Sequence, residues 1–126
     1  MDRTELRTYL LEAYKAASDF PWAKSPNYEV FRHVASRKWF ALVMDIPKTK
    51  LGLQSNEIAD VVNLKCDPLL IGSLRAEQVI FPAYHMSKDN WITVILDGSV
   101  SDDKLKMLLD MSFKLTDAKS KRQQQK

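Results

Sequence analysis

Glycine and cysteine are both scarce in this chain, with three of the first and one of the second among 126 residues. Each shortage closes off some chemistry. Gly52, Gly72 and Gly98 lie far apart, so no glycine-rich loop can cradle a phosphate. Ser87 also lacks the flanking glycines of a nucleophile elbow. A lone thiol, Cys66, cannot close an internal disulfide. Beside Val61, Val62 and Leu64 it reads as a buried, reduced side chain, which suits a cytoplasmic setting. Cys66 and the two histidines, His33 and His85, show none of the close pairs of a zinc motif. Neither metal nor cofactor is expected. Apolar runs stop well short of the roughly 18 residues of a membrane span. The opening MDRTELRTYL places acids where a signal peptide needs an apolar core, so no membrane contact is expected either.

What is present suits one folded domain. The chain is 45% hydrophobic and 28% charged, and a domain of this size buries roughly two-thirds of its unfolded surface. The formal net charge is +3, but its location matters more than its size. The closing KSKRQQQK holds Lys119, Lys121, Arg122 and Lys126 and no acid. The 19 lysines and arginines less those four fall one short of the 16 acids. Residues 1–118 are therefore expected to form the domain, and 119–126 a flexible basic tail that cannot bury anything.

Local signals set an order of elements. Asp2 and Glu5 form a D-x-x-E capping pattern ahead of Leu6, Leu10, Ala13 and Ala17 at helical spacing. Pro21 and Pro26 break that helix over 18–26. Residues 28–35 and 38–46, rich in β-branched and aromatic side chains, read as a hairpin turning at Ser36-Arg37. A polar connection, 47–56, leads to a third strand over 58–66. Asp67 and Pro68 start a short helix to about Ala76. A short extended piece within 79–84 and a strand over 91–96 follow, ending at the Asp97-Gly98 turn. Ser101 caps a last helix whose inner stripe is Leu105, Leu108, Leu109 and Ser112. The expected fold is α+β, α-β-β-β-α-β-β-α, with two layers and an antiparallel sheet.

Four stretches carry a resemblance: VFRHVASRKWFALV from Val30, VNLKCDP from Val62, PAYHMSKDNWITVIL from Pro82 and LLDMSFKLT from Leu108. In these the chain resembles the MmcQ/YjbR family of small bacterial proteins. The resemblance implies an α+β fold like that of secretion chaperones, in a double-wing arrangement compared with frataxin-like folds. It also implies DNA binding, a label that members carry from structural likeness, and fold alone does not fix function. Two departures stand out. The family often has glycine before the Trp-Phe pair, where this chain has Ala35-Ser36-Arg37-Lys38. It often has histidine before the later tryptophan, where this chain has Asn90.

Two sets of candidate residues follow. A motif cluster of undefined role comprises Lys65, Asp67, His85, Lys88 and Trp91. Strand alternation puts Asn63, Lys65 and Asp67 on one face and Leu64 and Cys66 on the other, and the simplest reading is a solvated polar side. An acid–base role for His85 needs an orienting partner, and Asp67 or Asp89 could serve. The nucleic-acid set comprises Arg32, Arg37, Lys38, Lys48, Lys50 and Lys88, interleaved with Trp39 and Phe40. Cationic hairpin wings could hold duplex phosphates weakly and without base readout, although the near-neutral body argues against a strong basic footprint. The alternative is a chaperone-like protein-interaction module, or self-association, anchored on Tyr84, Met86 and Trp91. No enzymatic activity is expected.

Overall fold

The computed structural model describes residues 1–117. Ala118 and the basic 119–126 segment lie outside the described residues. Among the described residues three α-helices and six strands follow in this order: α1 (Arg3–Ala13), β1 (Ala17–Asp19), β2 (Glu29–Arg32), β3 (Trp39–Pro47), β4 (Ile58–Lys65), α2 (Pro68–Ala76), β5 (Ile80–Pro82), β6 (Trp91–Ile95) and α3 (Asp102–Leu115). A 3-10 turn, Lys48–Leu51, follows β3. Every strand pairing is antiparallel, and the strand order is β1-β2-β3-β4-β6-β5. The fold is the α+β arrangement that the sequence implies, with one strand added at the edge.

The helix signals act as expected. Asp2 accepts from the Glu5 amide while the Glu5 carboxylate accepts from the Asp2 amide, a reciprocal cap on α1. Asp67 accepts from the Leu69 amide and Pro68 opens α2. Ser101 accepts from the Lys104 amide at the start of α3. The difference lies at the end of α1. Lys15 takes a left-handed conformation, φ 52°, so Ala17 leaves the helix and pairs with Arg32 in β1 instead.

The hairpin is wider than its pattern suggests. Strand pairing ends at Arg32 and resumes at Trp39, with residues 33–38 closed by His33 N–H to the Lys38 carbonyl and Arg37 N–H to the His33 carbonyl. Arg37 carries φ 64°, the conformation that a glycine would take at least cost. The register also shifts, with Phe31 opposite Ala41 but Arg32 opposite Trp39. This bulge puts one extra residue in β3. Without it Trp39 would follow Ala41 and Val43 toward the helices. With it, Phe40 joins the helix-side core and Trp39 packs on the opposite face.

Each sheet face is buried, by different means. Leu6 and Leu10 of α1, Ile71 and Leu74 of α2, and Leu105, Leu108 and Leu109 of α3 cover Phe31, Val43, Val62, Leu64, Ile92 and Val94. A second core lies on the other face: Val30, Leu42, Met44, Ile46, Ala59, Val61 and Ile95. Among the described residues no α-helix side chain joins this core; the side chains packed on it include Leu51 of the 3-10 turn, Tyr28 from the 20–28 loop and Tyr84 and Met86 from the 83–90 loop. This corrects the reading of a solvated polar side. Asn63 is wholly buried there, because the 83–90 loop folds down onto it.

Candidate functional site

The motif residues first build a platform. Asn63 donates through Nδ2 to the Tyr84 carbonyl at 2.8 Å, and Thr93 Oγ1 accepts from the Tyr84 amide at 3.1 Å. Thr93 in turn donates to Asn63 Oδ1. Cys66 N–H reaches the Asn90 carbonyl at 2.7 Å, and Lys88 Nζ donates to the Ala83 carbonyl at 3.0 Å. Lys65 lies over the Trp91 ring, 5.5 Å from its centroid, where the two strands pair. The sequence stretches around 63–67 and 82–91 are thus two halves of one device that fixes the 83–90 loop. Within it His85 adopts φ 63° and packs at a tilt against Tyr84, with ring centroids 3.8 Å apart and the planes 44° from parallel.

Beside that loop is a groove of about 480 Å³. Leu42 and Met44 of β3 lie at its base. Trp22, Lys24, Ser25 and Tyr28 line one side and His85 and Met86 the other, with Trp39 also in its lining. Trp22 stands nearly perpendicular to Trp39 (5.4 Å, 83°) and to Tyr28 (6.3 Å, 80°), the edge-to-face geometry that the ring quadrupoles favour. Trp22 keeps 36% of its surface exposed. Burial, then Tyr84 and Asp45, pushes the Tyr28 hydroxyl pKa above its ordinary value, so Tyr28 stays a neutral hydrogen-bonding group. The volume falls within the roughly 300–1,000 Å³ of ordinary ligand sites, and the apolar lining with a few polar groups has the same character.

The predicted site residues divide unevenly around this groove. His85 lines it. Asp67 caps α2, and Lys65, Lys88 and Trp91 support the loop or its strand. Among the described residues His85 hydrogen-bonds neither Asp67 nor Asp89, so no oriented acid–base pair forms. Of the proposed anchors, Met86 lines the groove, Tyr84 packs into the second core and Trp91 is half-buried beneath Lys65.

The six candidate cations are not gathered together. Arg32 is bound to Asp19 at 2.8 Å and lies over Trp39, 5.5 Å from the ring centroid. Its hydrogen bonds hold the Asp19 carboxyl below the ordinary carboxylate range. Lys48 pairs with Glu57 at 3.1 Å. Arg37 and Lys38 are exposed at the hairpin tip. Lys50 is exposed beyond the other end of β3, whose nine residues span roughly 30 Å.

Cys66, His33 and His85 are also apart. Cys66 is buried with the helix-side core, where burial pushes its thiol pKa up. His33 packs on Phe40 and Phe113 and shares a 2.8 Å hydrogen bond with Thr116, while His85 lies on the opposite face. Among the described residues no group of three or more His, Cys, Asp or Glu could hold a metal ion, and no helix is long and apolar enough to cross a membrane.

Most of the groove escaped sequence reasoning. Residues 18–26 read only as a helix break, yet they contribute Trp22, Lys24 and Ser25. The available signal was a tryptophan between two prolines, with no periodic stripe to bury it.

A family model described as YjbR matches residues 11–115. A Bacillus subtilis protein named uncharacterized protein YyaQ is 36% identical over 116 residues, covering 92% of this chain and 98% of that one. The Escherichia coli K12 uncharacterized protein YjbR is 40% identical over 53 residues, 41% of this chain and 45% of its own. A Pseudomonas syringae protein solved by crystallography is 44% identical, with a TM-score of 0.90 over 93% of this chain and 100% of the other. A Deinococcus radiodurans crystal structure is more distant, at 28% identity and a TM-score of 0.68, over 90% of this chain and 77% of the other.

Proposed function

The chain belongs to the YjbR family, and we propose that it works by binding rather than catalysis, holding a segment of a partner protein in the groove beside β3. The observation that carries this reading is the exposed Trp22, set at right angles to Trp39 and Tyr28 above an apolar base. Large aromatic side chains that are half-exposed in a concave site supply much of the energy of protein association. The partly exposed Met86 adds an adaptable, polarizable side chain of the kind found where different side chains must fit. An enzyme reading draws no comparable support, since His85 lacks an orienting partner among the described residues.

Duplex DNA gripped by cationic wings is the other reading that the family resemblance raises. It draws less support from the geometry. Arg32 and Lys48 are neutralised by Asp19 and Glu57, and Lys88 is tied to a backbone carbonyl. The remaining cations sit at opposite ends of β3. A duplex-binding surface needs several phosphate contacts in one footprint.

A random peptide library selected against the full chain tests the binding reading. Enriched peptides should compete with one another, and about tenfold of their affinity should be lost in Trp22→Ala or Met86→Glu. The reading fails if the selected peptides ignore both substitutions. It also fails if duplex DNA binds with a steep salt dependence that Arg37→Glu and Lys38→Glu abolish.

A further inference from the structure

We propose that the groove, on the binding reading above, selects a partner segment in which an aromatic side chain is flanked by carboxylates. Three observations converge on that chemistry. The first is charge. Lys24 lines the groove and no acid is among its described lining residues. At the Trp39 end the chain leads directly into the hairpin tip, where Arg37 and Lys38 are exposed. Of the neighbouring acids, Asp19 holds Arg32, Asp89 is exposed on the 83–90 loop outside the lining, and Asp45, which accepts from Asn27 and whose charge reaches Tyr28, also lies outside it. A carboxylate beside Lys24 or toward the hairpin tip would therefore meet a cation, and a basic segment there would meet repulsion.

The second is ring geometry. Trp22 makes a corner with each of Trp39 and Tyr28, standing nearly perpendicular to both. An incoming ring that stacks on one wall is presented edge-on to the next, and both arrangements are favourable. The third is the base. The partly exposed Met86 offers a thioether beside the almost buried Leu42 and the buried Met44, an apolar surround that suits an aromatic side chain. A nucleic-acid strand would bring phosphates as well as rings, and phosphates gain nothing from that surround. A polypeptide places its ring inside and its charges at the rim.

The test uses the isotope-labelled full chain and four probes, followed through the tryptophan indole resonances. Three are synthetic peptides: one phenylalanine flanked by aspartates and glutamates, the same peptide with alanine for phenylalanine, and the same with lysines for the acids. The fourth is a short oligo-dT strand. The acidic phenylalanine peptide should shift the Trp22 and Trp39 signals and bind about tenfold more tightly than the other two peptides. Lys24→Glu should weaken it several-fold and reverse the preference toward the lysine peptide.

If both phenylalanine peptides bind the groove equally, the groove holds a partner segment but the charge selection is overturned. If no peptide moves the groove signals, the selection and the binding reading fall together. If only oligo-dT moves them, both fall in favour of stacking on single-stranded nucleic acid.

Discussion

Asn63 and Thr93 face each other across the β4–β6 pair and together hold both backbone polar groups of Tyr84, its carbonyl on the amide of one and its N–H on the hydroxyl of the other. All three groups are satisfied within a buried network, and no buried side-chain N or O among the described residues lacks a partner. The network has a clear consequence for the groove. Tyr84 directly precedes His85 and Met86, so two residues of the sheet determine where that wall stands.

Thr93→Val keeps the side-chain shape but leaves the Tyr84 amide and the Asn63 oxygen unpaired. It should cost about 1–3 kcal/mol, the usual penalty for stranding a buried polar group. Denaturant unfolding measures the loss, and hydrogen exchange at Tyr84 should accelerate beyond the global change. Asn63→Ala should act through the same network, so the double variant should lose less than the two single losses combined.

Ser112 of α3 makes a comparable bridge on the helix side. Its hydroxyl accepts from the Lys65 amide at 2.8 Å and donates to the Phe40 carbonyl, the backbone group beside the bulge of β3. Ser112→Ala removes a hydrogen-bond partner from both groups at a fully buried position. A loss of about 1–3 kcal/mol is expected, read as a lower denaturation midpoint with an unchanged slope.

His33 gives the fold a pH dependence of definite sign. Burial among Phe40 and Phe113 holds its pKa below the ordinary 6.5. The unfolded chain then takes up the proton first, so stability is full above 6.5 and falls as the pH drops through the folded pKa. Melting temperature should decline between about pH 7.5 and pH 5 in the parent chain. His33→Phe should flatten that decline. An equal decline in the variant would assign it to other groups.

Arg7 and Glu29 form an asymmetric pair at 3.1 Å, with the arginine side chain about half exposed and the glutamate 2% exposed. Removing the arginine strands a buried carboxylate, so Arg7→Met should destabilise by about 1–3 kcal/mol after allowance for solvent at the exposed partner. Arg7→Met with Glu29→Met should recover most of that loss, because the charge that needed a partner is gone. Thermal unfolding of the three chains decides the matter.

Much of the scaffold is legible from residues a few positions apart. The Asp2–Glu5 cap, the Asp67–Pro68 start and the Ser101 cap each mark a helix through contacts within one turn. The runs rich in β-branched residues at Ile58–Lys65 and Trp91–Ile95 mark two central strands equally locally. β1 is different: three residues with no alternating burial, existing as a strand because β2 offers a register. The bulge is equally invisible, since Trp39 and Phe40 are adjacent hydrophobic residues whose faces depend on how β3 meets β2.

Composition, caps and periodicity therefore determine that this chain folds as α+β, and four sequence stretches determine its family resemblance. Only the tertiary structure decides that Asn63 is buried, that Arg32 and Lys48 are neutralised, and that Trp22, Trp39 and His85 share a groove. The reason is physical. Helix caps and strand alternation are local, whereas the groove draws on three segments brought together by antiparallel pairing and by two loops that shield an apolar sheet face from water.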